Sequence, residues 1–335
     1  MTDKYAAAGV NITAKNSSNR LVGALARSTF NPAVLSEAGF FNGMYEFSGY
    51  EQPVLVSSTD SVGTKTKVAI SLGVYDTMGI DIVNHCVNDI FTCGARPLFF
   101  LDYIGIGKIV PEQVEQLVGG VAKACKAVDC VLIGGETAEL SDVYHGADYD
   151  LAGFVIGVVE KDKAIAGKAI REGDAVLGLP SSGLHTNGYT LARRIFGDTA
   201  EDLNKVYPEL GRSIGEVLLV PHRCYYNDLK DVLPLVRGMA HITGGGLYDN
   251  VPRVLPEGLA VRFNSTSWEV PAVFTLLQRL GDVPREEMYR DFNMGIGMVV
   301  ITSQADAAEL QRQVPELGTI GEVVRQAGQA RVVVD

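Results

Sequence analysis

The chain has 335 residues, more than one compact core usually organises, so two domains of roughly 150 to 170 residues each are expected. Hydrophobic residues make up 47% and charged residues 21%, a balance that excludes disordered and fibrous classes. The net charge of −11 repels phosphate backbones, so nucleic acid is not an expected partner.

The N-terminal stretch Met1–Ser18 has no apolar core of signal-peptide length. No apolar run approaches the ~18 residues that a membrane span needs. A cytoplasmic protein without a membrane partner is the expectation. Val54–Val56 is a short apolar run between turn residues and predicts a strand. Ile80, Val83, Val87, Ile90 and Phe91 recur at helical spacing. Leu98–Leu101 predicts a second strand. Val114, Leu117, Val118, Val121 and Ala122 predict a second helix, with Pro111 near its start and Glu112 in its first turn. Val131–Ile133 and Phe154–Val159 predict two further strands. The polar stretch Glu160–Asp174, with Gly167 and Gly173, places the domain boundary and divides the chain into 1–165 and 166–335.

The second half restarts with a strand at Ala175–Leu179, a helix after Asn187 and another after Pro221. A strand at Gly238–Ile242 leads into three glycines and a helix running towards Val254. Gly295–Ile301, Asp306–Val314, Gly318–Val324 and Arg331–Val334 then alternate strand and helix. The fold class is α/β (α+β). The five cysteines form no Cys-x-x-Cys pair and read as small buried residues, with Cys86 and Cys93 on one helix face.

Common nucleotide fingerprints fail. Gly63-Thr64-Lys65-Thr66 lacks the upstream glycine of a P-loop, and Gly105 and Gly295 do not start a Gly-x-Gly-x-x-Gly. The acidic residues carry more. Strand candidates lead to Asp60, Asp102 and Glu136, while the helix between them adds Asp81, His85, Asn88 and Asp89. Carboxylates packed together repel unless a cation lies among them, and carboxylate with amide oxygen suits Mg²⁺. Asp60, Asp89 and Glu136 read as metal ligands; Asp81 reads as an ordinary helix-surface acid. Lys65 follows the Gly63-Thr64 turn, either as a phosphate cation or as a solvated helix-start lysine. Thr243-Gly244-Gly245-Gly246 follows a strand and opens a helix, a pattern that lets backbone N–H groups approach an anion. Ser181–Tyr189 also follows a strand and crowds Ser182, His185 and Asn187 onto one turn. A Ser-His-Asp hydrolase lacks its Gly-x-Ser-x-Gly elbow here, so His185 is open to acid, base or phosphate-donor roles. His145 and His222 read as structural, and Trp268 with the Tyr225-Tyr226 pair as packing residues.

Taken in order, Asp60–Lys65, Val87–Ile90, Gly134–Glu139, Ser181–Tyr189, Thr243–Gly246 and Met288–Asn293 resemble the phosphoribosylformylglycinamidine cyclo-ligase (aminoimidazole ribonucleotide synthetase) family. The resemblance runs from about Tyr5 to Val334. It implies a homodimer in which N-terminal sheets pair into a barrel, and a C-terminal α/β domain. It further implies ATP and Mg²⁺ at Asp60, Gly63, Thr64, Lys65, Asn88, Asp89, Gly135 and Glu136, with Asp102 a further acid for the metal. Ser182, His185, Asn187 and Thr243–Gly246 would hold formylglycinamidine ribonucleotide, with His185, Asn187 and Lys65 nearest the chemistry. The implied reaction is ATP-dependent ring closure in purine biosynthesis. Ser61 stands where the family has glycine. Two other readings are a related ATP-using kinase or selenophosphate synthetase, and a non-catalytic nucleotide-binding scaffold. The first cysteine is Cys86, which disfavours the selenophosphate reading.

Overall fold

The computed structural model describes residues 12–39 and 41–335, so the reading of Met1–Ser18 lies partly outside the described residues. The chain divides into two compact units. One takes the chain up to Ile90 together with Arg96–Glu160; the other takes Phe91–Ala95 and Lys161–Asp335. Among the described residues, no helix is long and apolar enough to cross a membrane.

The first unit runs α1 (Ile12–Arg27), β1 (Pro53–Ser61), α2 (Lys65–Leu72), α3 (Asp76–Phe91), β2 (Arg96–Ile106), α4 (Pro111–Ala127), β3 (Val131–Glu139) and β4 (Tyr149–Glu160). Its sheet has the order β1-β4-β2-β3. The outer pairings of β4, to β1 and to β2, are antiparallel, whereas β2 and β3 are parallel and joined through α4. Alternation along the strands divides the sheet into two faces. Phe100, Asp102, Ile104, Val155 and Leu151 are buried on one face, with Ile82 of α3 pressing on Gly153 from that side. The opposite face carries Leu55 and Phe154, which are 66% and 42% exposed. Helices α3 and α4 meet at two glycines. A Cβ on Gly79 would lie 2.1 Å from the Leu117 carbonyl oxygen, and one on Gly120 would lie 2.2 Å from that of Asp76. No side chain fits at that crossing.

The second unit has a six-stranded sheet of order β10-β7-β9-β5-β8-β6. Its strands are β5 (Ala175–Pro180), β6 (Gly238–His241), β7 (Leu259–Phe263), β8 (Ile296–Thr302), β9 (Gly318–Arg325) and β10 (Val332–Val334). Its helices are α5 (Tyr189–Phe196), α6 (Ala200–Leu203), α7 (Ile214–Leu218), α8 (Tyr226–Leu229), α9 (Gly246–Asn250), α10 (Ala272–Gly281), α11 (Arg285–Asp291) and α12 (Gln304–Gln313). β8 is buried at all seven positions and lies between β5 and β6, which explains its unbroken apolar run.

Several local expectations change. The helix expected after Pro221 is the single turn α8, and Pro234 then allows only a 3-10 turn at Leu233–Leu235. The helix after the glycines ends at Asn250, where Pro252 again diverts the chain into a 3-10 turn. Cys93 lies beyond the end of α3 and does not share its face with the fully buried Cys86. The α10 and α11 helices, entered through Pro271 and Pro284, and strand β7 were not anticipated.

Candidate functional site

In the first unit, four positions share one rung of the sheet. Asp60 of β1 pairs with Gly153 of β4, Gly153 with Asp102 of β2, and Asp102 with Gly135 of β3. Residues on one rung point to the same face, so Asp60 and Asp102 both face the helices, their Cα atoms about 9–10 Å apart across two strand spacings. Gly135 must lack a side chain, because a Cβ there would lie 2.1 Å from Asp102 Oδ1. The helix α3 supplies His85 and Asp89. His85 Nε2 is 3.0 Å from Asp60 Oδ2 and 3.8 Å from Asp89 Oδ2. Ser58 Oγ donates to Asp89 Oδ2 at 3.0 Å.

These contacts set the charges. Burial alone would raise the Asp60 carboxyl, but the hydrogen bond and charge of His85 outweigh it and lower its pKa. Burial alone would lower His85, yet the Asp60 hydrogen bond and the charges of Asp89, Asp60 and Asp81 raise it. Burial pushes the Asp102 carboxyl up to about 7. Asp60 and Asp89 thus flank His85 Nε2 from partly exposed positions. Two such carboxylates suit a hard divalent cation whose remaining ligands are water or phosphate, so the residues present fit Mg²⁺.

Two expectations for this region need correction. Glu136 follows Gly135 and pairs with Tyr103, so alternation turns it to the face opposite Asp102, Asp60 and Asp89. Within one chain it does not join the acids. Asp81, expected on a helix surface, is fully buried, and so is Lys65; Lys65 Nζ lies 2.8 Å from Asp81 Oδ2 and 3.0 Å from Oδ1. Burial lowers the Lys65 pKa while the Asp81 charge opposes that shift. The lysine is therefore an internal ion-pair partner that anchors the start of α2 to α3, not a cation reaching out for phosphate. Gly63, with φ of +68°, turns the chain ahead of it, and Thr64 precedes the first residue of α2. Asn88 is fully buried on α3. Ser61 pairs with Ala152 as the last residue of β1 and is not among the positive-φ residues, so its backbone does not require glycine.

In the second unit three separate segments converge. The first is the Ser181–Tyr189 turn, which leaves β5. His185 there is 1% exposed and has φ of +61°, a left-handed conformation uncommon outside glycine. Strain of this kind persists where the surroundings impose it. Ser182 N–H donates to His185 Nε2 at 3.1 Å, and Ser182 Oγ donates to the Pro221 carbonyl at 2.6 Å. The second segment is Thr243–Gly246. Gly245 and Gly246 have φ of +94° and +56°, and a Cβ on Gly246 would lie 2.0 Å from the Tyr289 carbonyl oxygen. The third is Met288–Asn293. Asn293 Nδ2 donates to the Gly183 carbonyl at 2.8 Å, and its Oδ1 accepts from Ser181 Oγ at 2.9 Å.

Asn187 joins the first two segments: its Oδ1 lies 3.2 Å from where a Cβ on Gly244 would stand. Its Nδ2 is buried and has no hydrogen-bond partner. A buried donor without an acceptor is costly, so this atom marks a place that a ligand oxygen would complete. Three residues that the motifs left without a role organise the region. Asn250 Nδ2 donates to the Gly246 carbonyl at 2.8 Å and the Gly244 carbonyl at 3.2 Å, holding the glycine turn closed. His222 stacks on His185 with ring centroids 3.9 Å apart, and His241 meets His222. The stacking of His222 on His185 could not be read from spacing, since it crosses 37 positions of sequence.

Comparison with known proteins follows the same division. Residues 43–159 match the family described as AIR synthase related protein, N-terminal domain, and residues 171–334 match its C-terminal domain. The chain is 49% identical over 334 residues to a phosphoribosylformylglycinamidine cyclo-ligase of Desulfitobacterium hafniense, covering 96% of this chain and 97% of that one. It is 47% identical over 326 residues to the protein of that name from Pseudothermotoga lettingae, covering 96% of each. Among solved structures it is similar in fold to thiamine-monophosphate kinase from Stenotrophomonas maltophilia, with a TM-score of 0.67 at 16% identity over 95% of both chains. It is also similar to hydrogenase maturation protein HypE in complex with ATP, with a TM-score of 0.63 at 18% identity, covering 95% of this chain and 90% of that one.

Proposed function

The chain belongs to the phosphoribosylformylglycinamidine cyclo-ligase family and is an ATP-dependent ligase of purine biosynthesis, and we propose the following division of labour among its residues. The reaction converts formylglycinamidine ribonucleotide into aminoimidazole ribonucleotide. The formyl oxygen attacks the γ-phosphorus of ATP, and the bond to ADP breaks. The amidine nitrogen then attacks the activated carbon, phosphate leaves with the former formyl oxygen, a proton is lost and the imidazole ring closes. An amide oxygen leaves poorly on its own; as phosphate it leaves well. The protein therefore needs mainly to position the partners and balance charge.

In the first unit, Asp60 and Asp89 would hold Mg²⁺, assisted by Asn88 and Asp102, and Gly63, Thr64 and Gly135 would border the ATP phosphates. Mg²⁺ supplies charge neutralisation on those phosphates. Lys65 acts through Asp81, holding the Asp60–Thr64 turn against α3. In the second unit, Thr243–Gly246 receives the ribose phosphate, and Ser182, His185 and Asn187 border the reacting amide. The observation that carries this reading is the unpartnered, buried Asn187 Nδ2 beside Gly244, because a substrate oxygen there satisfies it. The protein forms a homodimer through the open sheet face of the first unit, where Leu55 and Phe154 are exposed.

The test is one reaction with formylglycinamidine ribonucleotide, ATP and Mg²⁺, following ADP and the coloured derivative of the product amine together. Matched formation of both is the expected outcome. ADP without aminoimidazole product would refute ring closure in favour of phosphoryl transfer to another acceptor. Asn187→Ala is expected to raise KM for the ribonucleotide by roughly tenfold while the KM for ATP stays put.

A further inference from the structure

The imidazoles of His185, His222 and His241 form one buried cluster inside the second unit, exposed by 1%, 1% and 5%. Their candidate ligand nitrogens all lie within 4.8 Å of one another. Only His185 belongs to a motif with a proposed role. The hydrogen bonds decide what the cluster does. A backbone N–H can only donate, so the 3.1 Å contact from Ser182 N means that His185 Nε2 carries a lone pair. The neutral ring therefore carries its proton on Nδ1. His222 lies against this ring, with centroids 3.9 Å apart and planes 22° from parallel. Its own edges are engaged on both sides: Nδ1 is 3.4 Å from Thr186 Oγ1, and Nε2 is 2.9 Å from His241 Nε2. Two imidazole nitrogens at that distance share one proton, one ring donating and the other accepting.

Three histidines this close are also a transition-metal ligand set. Here the rings of His185 and His222 are stacked 3.9 Å apart with planes 22° from parallel, so their in-plane lone pairs lie in two separate, nearly parallel planes. The 2.9 Å contact is an N–H···N hydrogen-bond length.

We propose that His222 is a positioning residue for the ring closure: stacked on His185 and locked by Thr186 and His241, it holds the His185 imidazole in one orientation. Ser182 then selects the tautomer, and the reacting amide meets a ring whose proton is on Nδ1. The inference rests on the placement of His185 at the reacting centre. His222 touches neither substrate nor nucleotide in this scheme. Its effect is on kcat through the geometry of its neighbour.

The experiment compares His222→Ala, His222→Phe and His185→Ala in the full-length enzyme, by steady-state kinetics, thermal melting and ¹⁵N NMR of the imidazole rings. His222→Ala is expected to lower kcat by roughly 10- to 100-fold with the KM for ATP within about twofold. His222→Phe restores the stacked surface and is expected to recover part of that loss. In the native enzyme His185 should show a single Nδ1–H tautomer, and in His222→Ala a mixture. If the Ala variant fails to fold, the Phe variant and His222→Gln carry the same comparison. A kcat for His222→Ala within twofold of native, beside a large loss in His185→Ala, overturns the inference and leaves the His185 placement standing. An unaffected His185→Ala removes that placement itself. One equivalent of Co²⁺ bound by the native protein and lost in His222→Ala would overturn it in favour of a metal site.

Discussion

Lys65 and Asp81 are both fully buried, and each charge is stabilised by the other. Lys65→Ala would take the ion-pair partner from the buried Asp81 carboxylate, at an expected loss of about 3–5 kcal/mol in denaturant unfolding. The double change Lys65→Met with Asp81→Leu should recover most of that loss, since an apolar pair needs no partner. A second residue makes a pH prediction. The Asp102 carboxyl titrates at about 7 in the folded protein, against 3.8 as its ordinary value. Between those values the native protein keeps a proton that the unfolded chain has released. This contribution to stability is therefore full below the unfolded value and lost as pH rises through about 7. In metal-free buffer Asp102→Asn, which stays neutral, should melt above the native protein at pH 8 by at least ~2–4 °C. The gap should narrow between pH 8 and pH 5 and close only below the unfolded value of 3.8, and an unchanged gap from pH 8 to pH 5 would refute the burial account of Asp102.

At the scale of elements, the first unit depends on the crossing of α3 and α4. The two glycines at that crossing allow backbone contact, with any Cβ at Gly120 falling 2.2 Å from a carbonyl oxygen. Gly120→Ala gains in helix propensity but must push the helices apart, and overpacking of this sort costs about 1–3 kcal/mol or more. The expected result is a lower melting temperature together with weaker Mg²⁺-ATP binding, because α3 also carries His85 and Asp89. A melting temperature at or above native would show that the helices separate freely. In the second unit the analogous constraint is Gly246, where a side chain would strike the Tyr289 carbonyl. That close approach ties the glycine turn to α11, and it explains why the Met288–Asn293 segment accompanies the Thr243–Gly246 segment.

At the scale of the whole molecule, the open face of the first sheet is the unfinished surface. β1 is an edge strand with most of its residues exposed, and Leu55 on it and Phe154 on β4 lie on the face away from the helices. Edges and apolar faces of this kind invite pairing with another sheet. Leu55→Asp is expected to convert the proposed dimer to monomer by light scattering, with the second unit still folded. A native protein that is monomeric at micromolar concentration would overturn the homodimer.

The sequence by itself determined most strands of both units and the helices α3, α4 and α12, because short apolar runs and 3.6-residue spacing are local signals, whereas β7, α10 and α11 were read only from the fold. It also held the order of the motifs, and with it the family. Other features were settled only when distant segments met. Asp60 and Asp102 share a rung through Gly153, and no spacing along the chain reveals a rung. Glu136 left that group by a single residue of alternation, since one step along a strand changes face. Lys65 and Asp81 found each other across a helix packing, which turned a supposed solvent charge into a buried pair. His222 likewise gained its stack on His185 from a separate loop. Hydrophobic periodicity reports how one element meets the core; which polar groups face each other inside is decided by packing between elements, and that exists only in the folded chain.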